Sequence, residues 1–103
     1  MELIETPIFS KQVHASWSDE EYRVFQLHLL LRPDAGAIIP GSGGLRKVRW
    51  QMPGRGKRGG ARVIYYWQDA ARRLYLLFLY PKNVRSTLSP AELRTLRKLV
   101  TED

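Results

Sequence analysis

The N-terminal third of the chain carries apolar residues at helical spacing, bounded by signals that start helices. Glu2 to Glu5 predict a short strand, and Thr6-Pro7 then predicts the N-cap and first residue of a helix that runs to about Ala15. A capping box at Ser18-Asp19-Glu20-Glu21 starts a second helix, which Pro33 stops. The apolar face of this helix has the i, i+3, i+7 spacing and consists of Tyr22, Phe25 and Leu29.

The middle of the chain changes from helical to strand-like patterning. Residues 33–44 and 52–60 are rich in glycine and proline, which predicts irregular connections. Between them, Leu45 to Gln51 alternates basic and apolar residues over part of its length and predicts a half-exposed strand with a cationic exposed side. Residues 61–68 and 72–80 are rich in β-branched and aromatic residues and flank a short polar turn, so they predict a hairpin. The second of these strands is apolar on both faces, which is typical of a central, buried strand.

A second capping box, at Ser89-Pro90-Ala91-Glu92, starts a short C-terminal helix whose apolar stripe is Leu93, Leu96 and Val100. The predicted order is therefore β-α-α-β-β-β-α. Because the chain has 103 residues, we expect one α/β (α+β) domain over residues 1–103. In this domain two N-terminal helices pack on a twisted, mainly antiparallel four-stranded sheet.

The surplus positive charge lies in one segment, Leu45 to Arg62, which holds seven Lys/Arg residues and no acid, while the rest of the chain holds ten of each sign. The cluster could be an ordinary solvent-exposed surface without a ligand, but such a surface normally mixes positive and negative side chains. One local cationic cluster is instead the electrostatic footprint of a nucleic-acid-binding face. The seven cations are Arg46, Lys47, Arg49, Arg55, Lys57, Arg58 and Arg62.

Aromatic residues interleave with these cations and could stack on bases. Most aromatic residues in the strands of a small domain serve the core. If Val63, Tyr65 and Trp67 point inward, then alternation places Arg62, Ile64 and Tyr66 on the opposite side of the sheet. We therefore choose Tyr66 as the aromatic residue on the cationic face.

Several other classes of site are disfavoured by the sequence. There is no cysteine in the sequence. The two histidines, His14 and His28, lie on predicted helices away from the cationic segment, and no other potential metal ligand accompanies them at a suitable spacing. Gly54 to Gly59 satisfies G-x-G-x-x-G, but a strand follows where the dinucleotide fingerprint requires a helix. We therefore expect neither a cofactor nor a metal. The N-terminus has no signal-peptide pattern and the apolar runs are too short to span a bilayer, so we expect a cytoplasmic protein without a membrane partner.

The element order and two sequence runs, GGLRKVRWQMPGRGKRGGARVIYYW and LYLLFLYPKN, closely resemble the RelE superfamily of type II toxins, particularly its HigB-like branch. The resemblance covers nearly the whole chain. It implies a small bacterial endoribonuclease that enters the ribosomal A site and cuts mRNA there. It also implies neutralisation by a cognate antitoxin, which we expect to be acidic and to carry a helix-turn-helix DNA-binding domain.

The resemblance also implies roles for individual residues. Arg62 matches the arginine that opens the family's third strand and contacts the scissile phosphate, whereas the general base stays open, with Lys57, Lys82 and Tyr66 as candidates. These four form the expected catalytic set, and no metal is required. The expected RNA-binding residues are Arg46, Lys47, Arg49, Arg55, Arg58, Asn83 and Arg85.

Two other functions remain open from the sequence. One is a non-catalytic module that binds RNA or the ribosome. The other is a toxin of the related ParE type, which shares the fold but acts on DNA gyrase.

Overall fold

The computed structural model describes residues 1–52 and 60–100 of the chain. The helices begin where the sequence predicts, because the hydroxyls of Thr6, Ser18 and Ser89 accept hydrogen bonds from backbone N–H groups in the first helical turn. The elements are β1 (Glu2–Glu5), α1 (Pro7–Ser16), α2 (Asp19–Leu31), β2 (Ala37–Ile38), β3 (Arg46–Gln51), β4 (Gly60–Gln68), β5 (Arg73–Pro81) and α3 (Pro90–Arg97).

The strands form one sheet in the order β1-β5-β4-β3-β2. β1 lies parallel to β5, and every other pair is antiparallel, so the α+β class and mainly antiparallel sheet are confirmed. The expected strand count of four is wrong, because the described sheet has five strands. The additional strand, β2, lies in the segment predicted to be irregular. It pairs with β3 next to Gly36, where an added Cβ would lie 2.9 Å from the Lys47 carbonyl group.

Both faces of the sheet are covered, but by different helices. On the helix-side face, α1 and α2 pack through Phe9, Val13 and Phe25 against strand residues that include Val63 and Tyr65. On the opposite face, which we call the α3-side face, Leu93 and Leu96 pack over strand residues. The strand residues are Ile64, Tyr75 and Leu77, and Leu45, which directly precedes β3, packs with them. The inward positions predicted for Val63 and Tyr65 are thus confirmed, and Ile64 is buried as well because α3 covers the other face.

β5 is buried on both faces, as its apolar pattern predicts. A bulge shifts its register, because Ile64 pairs with Phe78 whereas Tyr65 pairs with Leu76, so Leu77 is the extra residue. The carbonyl of Leu77 accepts a hydrogen bond from the Thr6 hydroxyl at 3.0 Å. The bulge therefore anchors the start of α1 to β5, an interior strand of the sheet.

Candidate nucleic-acid interface

Three neighbouring strands place Arg49, Arg62 and Tyr80 in one row across the sheet. Arg49 on β3 pairs with Arg62 on β4, and Arg62 pairs with Tyr80 on β5. Since Val48 and Val63 beside them belong to the helix-side core, alternation directs this row to the α3-side face. Side chains at directly opposite positions lie about 5 Å apart at Cβ, and like charges there repel. Such a pair of arginines is well placed to hold an anion between them.

A second row continues the cationic surface towards the end of the sheet. Gln51 pairs with Gly60, and the Lys82 N–H donates to the Gly60 carbonyl at 3.2 Å. A Cβ at position 60 would lie 2.7 Å from Lys82 Cδ and 2.9 Å from Cε. The absence of a side chain at Gly60 therefore lets the Lys82 chain cross β4, two residues from Arg62 on the same face.

Tyr80 forms the buried floor beside Arg62. It is 3 % exposed, and its hydroxyl donates to the Ser86 carbonyl at 3.4 Å. Burial raises the pKa of Tyr80, while the neighbouring charges of Arg62 and Arg85 act to lower it. Sequence reasoning did not assign Tyr80 to the site. The pairing of Tyr80 with Arg62 depends on the bulge at Leu77, because a regular hairpin continued from Gln68 and Arg73 would place Leu79 opposite Arg62.

Lys47 and Arg49 extend the cationic surface around the edge of the sheet. Both line a notch of about 490 Å³ between the C-terminal end of α2 and β3, together with His28 and Arg32. β2 pairs with β3 only at Arg46 and Lys47, so β3 has no neighbour on this side from Val48 onwards among the described residues. His28 and Arg32 lie outside the cationic segment of the sequence, and only the tertiary fold brings them to this notch.

Two of the predicted residues, Arg46 and Tyr66, lie away from these rows of side chains. Arg46 pairs with Tyr65 on the helix-side face, where its Nη1 donates to the Gly36 carbonyl at 2.8 Å and its guanidinium lies 5.7 Å from the Trp67 ring centre. Tyr66 has the predicted orientation towards the α3-side face but lies four residues from Arg62, about 13 Å along the strand.

The surroundings of Tyr66 are those of a packing residue. The Arg97 guanidinium of α3 lies 4.6 Å from its ring centre, and a Cβ on Gly44 would meet its ring at 3.0 Å. Tyr66 therefore helps to seat the end of α3 on the sheet.

The remaining predicted residues lie around or beyond the two rows. Asn83 is exposed on the segment after β5, and Arg85 on the same segment forms an ion pair with Glu92. Arg55, Lys57 and Arg58 lie outside the described residues. Lys47, Arg49, Arg62 and Lys82 are thus the predicted cations that one face brings together. We call these four residues the cationic face.

Two further properties bear on the class of site. Within residues 1–52 and 60–100, no three His, Cys, Asp or Glu side chains are grouped so that they could hold a metal ion. Over the same ranges, no helix combines the length and the apolar character needed to cross a bilayer.

Comparison with known proteins identifies the family. A family model described as the RelE toxin of the RelE / RelB toxin-antitoxin system matches residues 37–102, which include every member of the cationic face. The chain belongs to the RelE toxin family. Its fold is also similar to that of the E. coli toxin RelE, solved in the free state as a variant with two arginines replaced by alanine. The TM-score is 0.60 at 13% sequence identity, and the match covers 95% of this chain and 94% of the other. This RelE-family toxin therefore carries its cationic face on the shared fold.

Proposed function

We propose that this RelE-family toxin is a ribosome-dependent endoribonuclease that cuts mRNA in the ribosomal A site. The observation that carries the proposal is the row in which Arg49, an exposed residue, and Arg62, a half-buried one, lie directly opposite each other on adjacent strands. Two arginines held on adjacent strands can grip one phosphodiester from both sides. Arginine suits this task because it stays charged and binds phosphate through two parallel hydrogen bonds.

The proposed chemistry uses the 2′-hydroxyl of the RNA as the nucleophile. Its oxygen attacks the adjacent phosphorus in line, the bond from phosphorus to the 5′-oxygen breaks, and the products are a 2′,3′-cyclic phosphate and a 5′-hydroxyl. The 2′-hydroxyl loses its proton and the leaving 5′-oxygen gains one. Arg62 and Arg49 stabilise the negative charge that develops on the phosphoryl oxygens, and no metal takes part in this scheme.

Proton transfer is the second requirement. Lys82 lies across Gly60 on the face that carries Arg62, so it is the described candidate nearest the proposed phosphate position. Tyr66 remains a weaker candidate because of its distance along β4 and its contact with Arg97. Lys57 is the third candidate. We propose Lys82 or Lys57 as the group that moves the proton.

The proposed partners follow from the same charges. The A-site mRNA and the surrounding ribosomal RNA supply phosphates for Lys47, Arg49 and Lys82. An acidic antitoxin, with a helix-turn-helix domain for DNA binding, would neutralise these cations in the cytoplasm. Because exposed charges dominate such a contact, its affinity should fall as salt rises.

A translation assay tests the proposal. Purified toxin is added to a translating bacterial extract, and mRNA length and the chemistry of the new 3′ ends are measured alongside supercoiling by purified DNA gyrase. The proposal expects cleavage only while ribosomes translate, with 2′,3′-cyclic phosphate ends. Intact mRNA with arrested translation would replace it with a non-catalytic binder, and inhibition of supercoiling would replace it with a ParE-type toxin.

A further inference from the structure

The segment between β5 and α3, residues 82–88, carries Lys82 and Asn83, and a single arginine holds much of it in place. Arg85 donates from Nη2 and Nη1 to the two carboxylate oxygens of Glu92, at 2.5 and 2.9 Å. Its Nε donates to the Thr87 carbonyl at 3.2 Å. The guanidinium of Arg85 therefore uses all three of its nitrogens inside the protein.

Glu92 is fixed independently of Arg85. It is the third residue of α3 and completes the capping box, where its carboxylate accepts from the Ser89 N–H at 2.8 Å. The hydrogen bonds from Arg85 are the main cause that lowers the pKa of Glu92 to about 2, so the carboxylate is charged at neutral pH. Most exposed ion pairs contribute little, but this one is bidentate and one partner is already fixed.

The other contacts of the segment lead directly to the cationic face. At its start, the Lys82 N–H donates to Gly60, and Val84 N–H donates to the Pro81 carbonyl at 3.2 Å. At its end, Leu88 is buried in the core on the α3-side face. The Arg85 pair thus joins a segment that carries Lys82 to the first turn of a packed helix.

We propose that Arg85 and Glu92 are positioning residues, whose ion pair holds residues 82–88 so that the Lys82 side chain lies across Gly60 beside Arg62. This role differs from the RNA contact that the sequence predicts for Arg85. A phosphate that bound Arg85 would have to displace Glu92, and it would be repelled by that carboxylate. The proposal rests on the endoribonuclease function for its catalytic consequence, but the position of the segment can be measured without any cleavage.

The two roles of Arg85 make opposite predictions for Glu92→Gln. If Arg85 binds RNA, loss of the competing carboxylate frees it, so cleavage stays the same or improves. If Arg85 positions the segment, Glu92→Gln should slow cleavage as Arg85→Gln does. Glutamine at this position still supports a capping box, so the variant removes the charge while the start of α3 is retained.

Single-turnover cleavage of mRNA on stalled ribosomes, measured across toxin concentrations, separates binding from the chemical step. Both single variants should lower the saturating rate by about tenfold or more, since a shift of ~1 Å in a reacting group can cost ~100-fold. The concentration that gives half the maximal rate should change less than about twofold. The double variant should be no slower than the worse single one. The control Arg94→Gln removes an exposed arginine of α3 and should leave both quantities unchanged.

Hydrogen exchange of the free toxin supplies a readout that does not need activity. In Glu92→Gln the amides of Lys82 and Val84 should exchange faster than in wild type or Arg94→Gln, while those in the middle of β4 keep their rates. Unchanged exchange at both amides, or a Glu92→Gln variant that cuts at least as fast as wild type, overturns the positioning role. Failure of wild type to cut mRNA would instead overturn the proposed function and leave the exchange result as the test.

Discussion

The two ends of the α3-side face are built from the same three strands but carry opposite kinds of side chain. At one end Ile64 pairs with Phe78 and lies under α3, 1 % exposed. Two residues further along, Arg62 pairs with Tyr80, and Arg49 pairs with Arg62 from the other side. The alternation of the strands is the same at both ends, so coverage by a helix is what separates a core position from a charged one.

The length of α3 explains where the boundary falls. A helix of eight residues is about 12 Å long, whereas a strand of nine residues extends for about 30 Å. α3 cannot cover the whole face, and the end beyond it carries Arg49, Arg62 and Lys82. Lys47 pairs with Ile64 and lies beside the covered end, on the outer strand β3. We infer that the covered end supplies stability and that the cationic face supplies the proposed chemistry, at the expense of repulsion between Arg49 and Arg62.

Leu77→Ala, at the covered end, should lower the stability of the fold without changing the cleavage rate of the folded protein. Leu77 is fully buried in the core on the α3-side face, so the variant should lose about 2–5 kcal/mol of unfolding free energy through lost contacts and a cavity. The cleavage rate per folded molecule should stay near that of wild type. Denaturant unfolding and single-turnover cleavage measure the two quantities, with Leu99→Ala, at an exposed leucine, as the control. A large loss of rate in the folded variant would mean that the two ends are coupled.

Arg62→Ala should lower the cleavage rate and leave the stability of the fold unchanged or slightly higher. It should lose about 2–4 kcal/mol of transition-state stabilisation, comparable to the loss of one preorganised donor to a developing oxyanion. Its unfolding free energy should be equal to or slightly above that of wild type, because the repulsion with Arg49 is relieved. The same two assays apply, with Arg94→Ala as the control. Undiminished cutting by folded Arg62→Ala would remove this residue from the proposed active site.

Local signals explain what the sequence predicted correctly. The three helix starts depend on capping residues that lie within four positions of each other, and the burial of Val63 and Tyr65 depends on simple alternation. The two-residue strand β2 was not predicted because its own composition is turn-like. It is a strand only through its pairing with Lys47 and Arg46 of β3, across a glycine-rich connection.

The site was harder to predict, for two different reasons. The ion pair of Arg85 with Glu92 and the approach of Lys82 to Gly60 are tertiary contacts that no local pattern contains. The face of Arg46 was within reach of the sequence, since successive strand residues point to opposite sides and Arg46 and Lys47 cannot share a face. The net charge of a segment does not contain this information, because it does not distinguish the two faces of a strand.

Gly60→Ala tests whether the missing side chain at Gly60 is what allows Lys82 to lie close to Arg62. The new Cβ would overlap Lys82 Cδ and Cε, so the lysine must move away from the strand. We expect cleavage to slow by about tenfold, because displacement of a reacting group by ~1 Å can cost ~100-fold. Single-turnover cleavage by Gly60→Ala, Lys82→Ala and the double variant measures this. If Gly60 acts through Lys82, the double variant should equal Lys82→Ala, whereas additive losses would give Gly60 a separate role.

The smallest expected effect is on the pH dependence of the unfolding free energy. It arises from the ion pair of Arg85 and Glu92, which joins α3 to the segment that carries Lys82. The pKa of Glu92 is lowered from its ordinary value of 4.5 to about 2, mainly by hydrogen bonds from Arg85, so the unfolded chain takes up a proton at higher pH than the folded protein does. The stability that this pair contributes is therefore fully present above pH 4.5 and is lost as the pH falls towards 2. Denaturant unfolding of wild type and Glu92→Gln between neutral pH and pH 2 should show a difference that shrinks on acidification. A difference that stays constant or grows would mean that Glu92 stabilises the protein as a helix cap and not through the charge that it shares with Arg85.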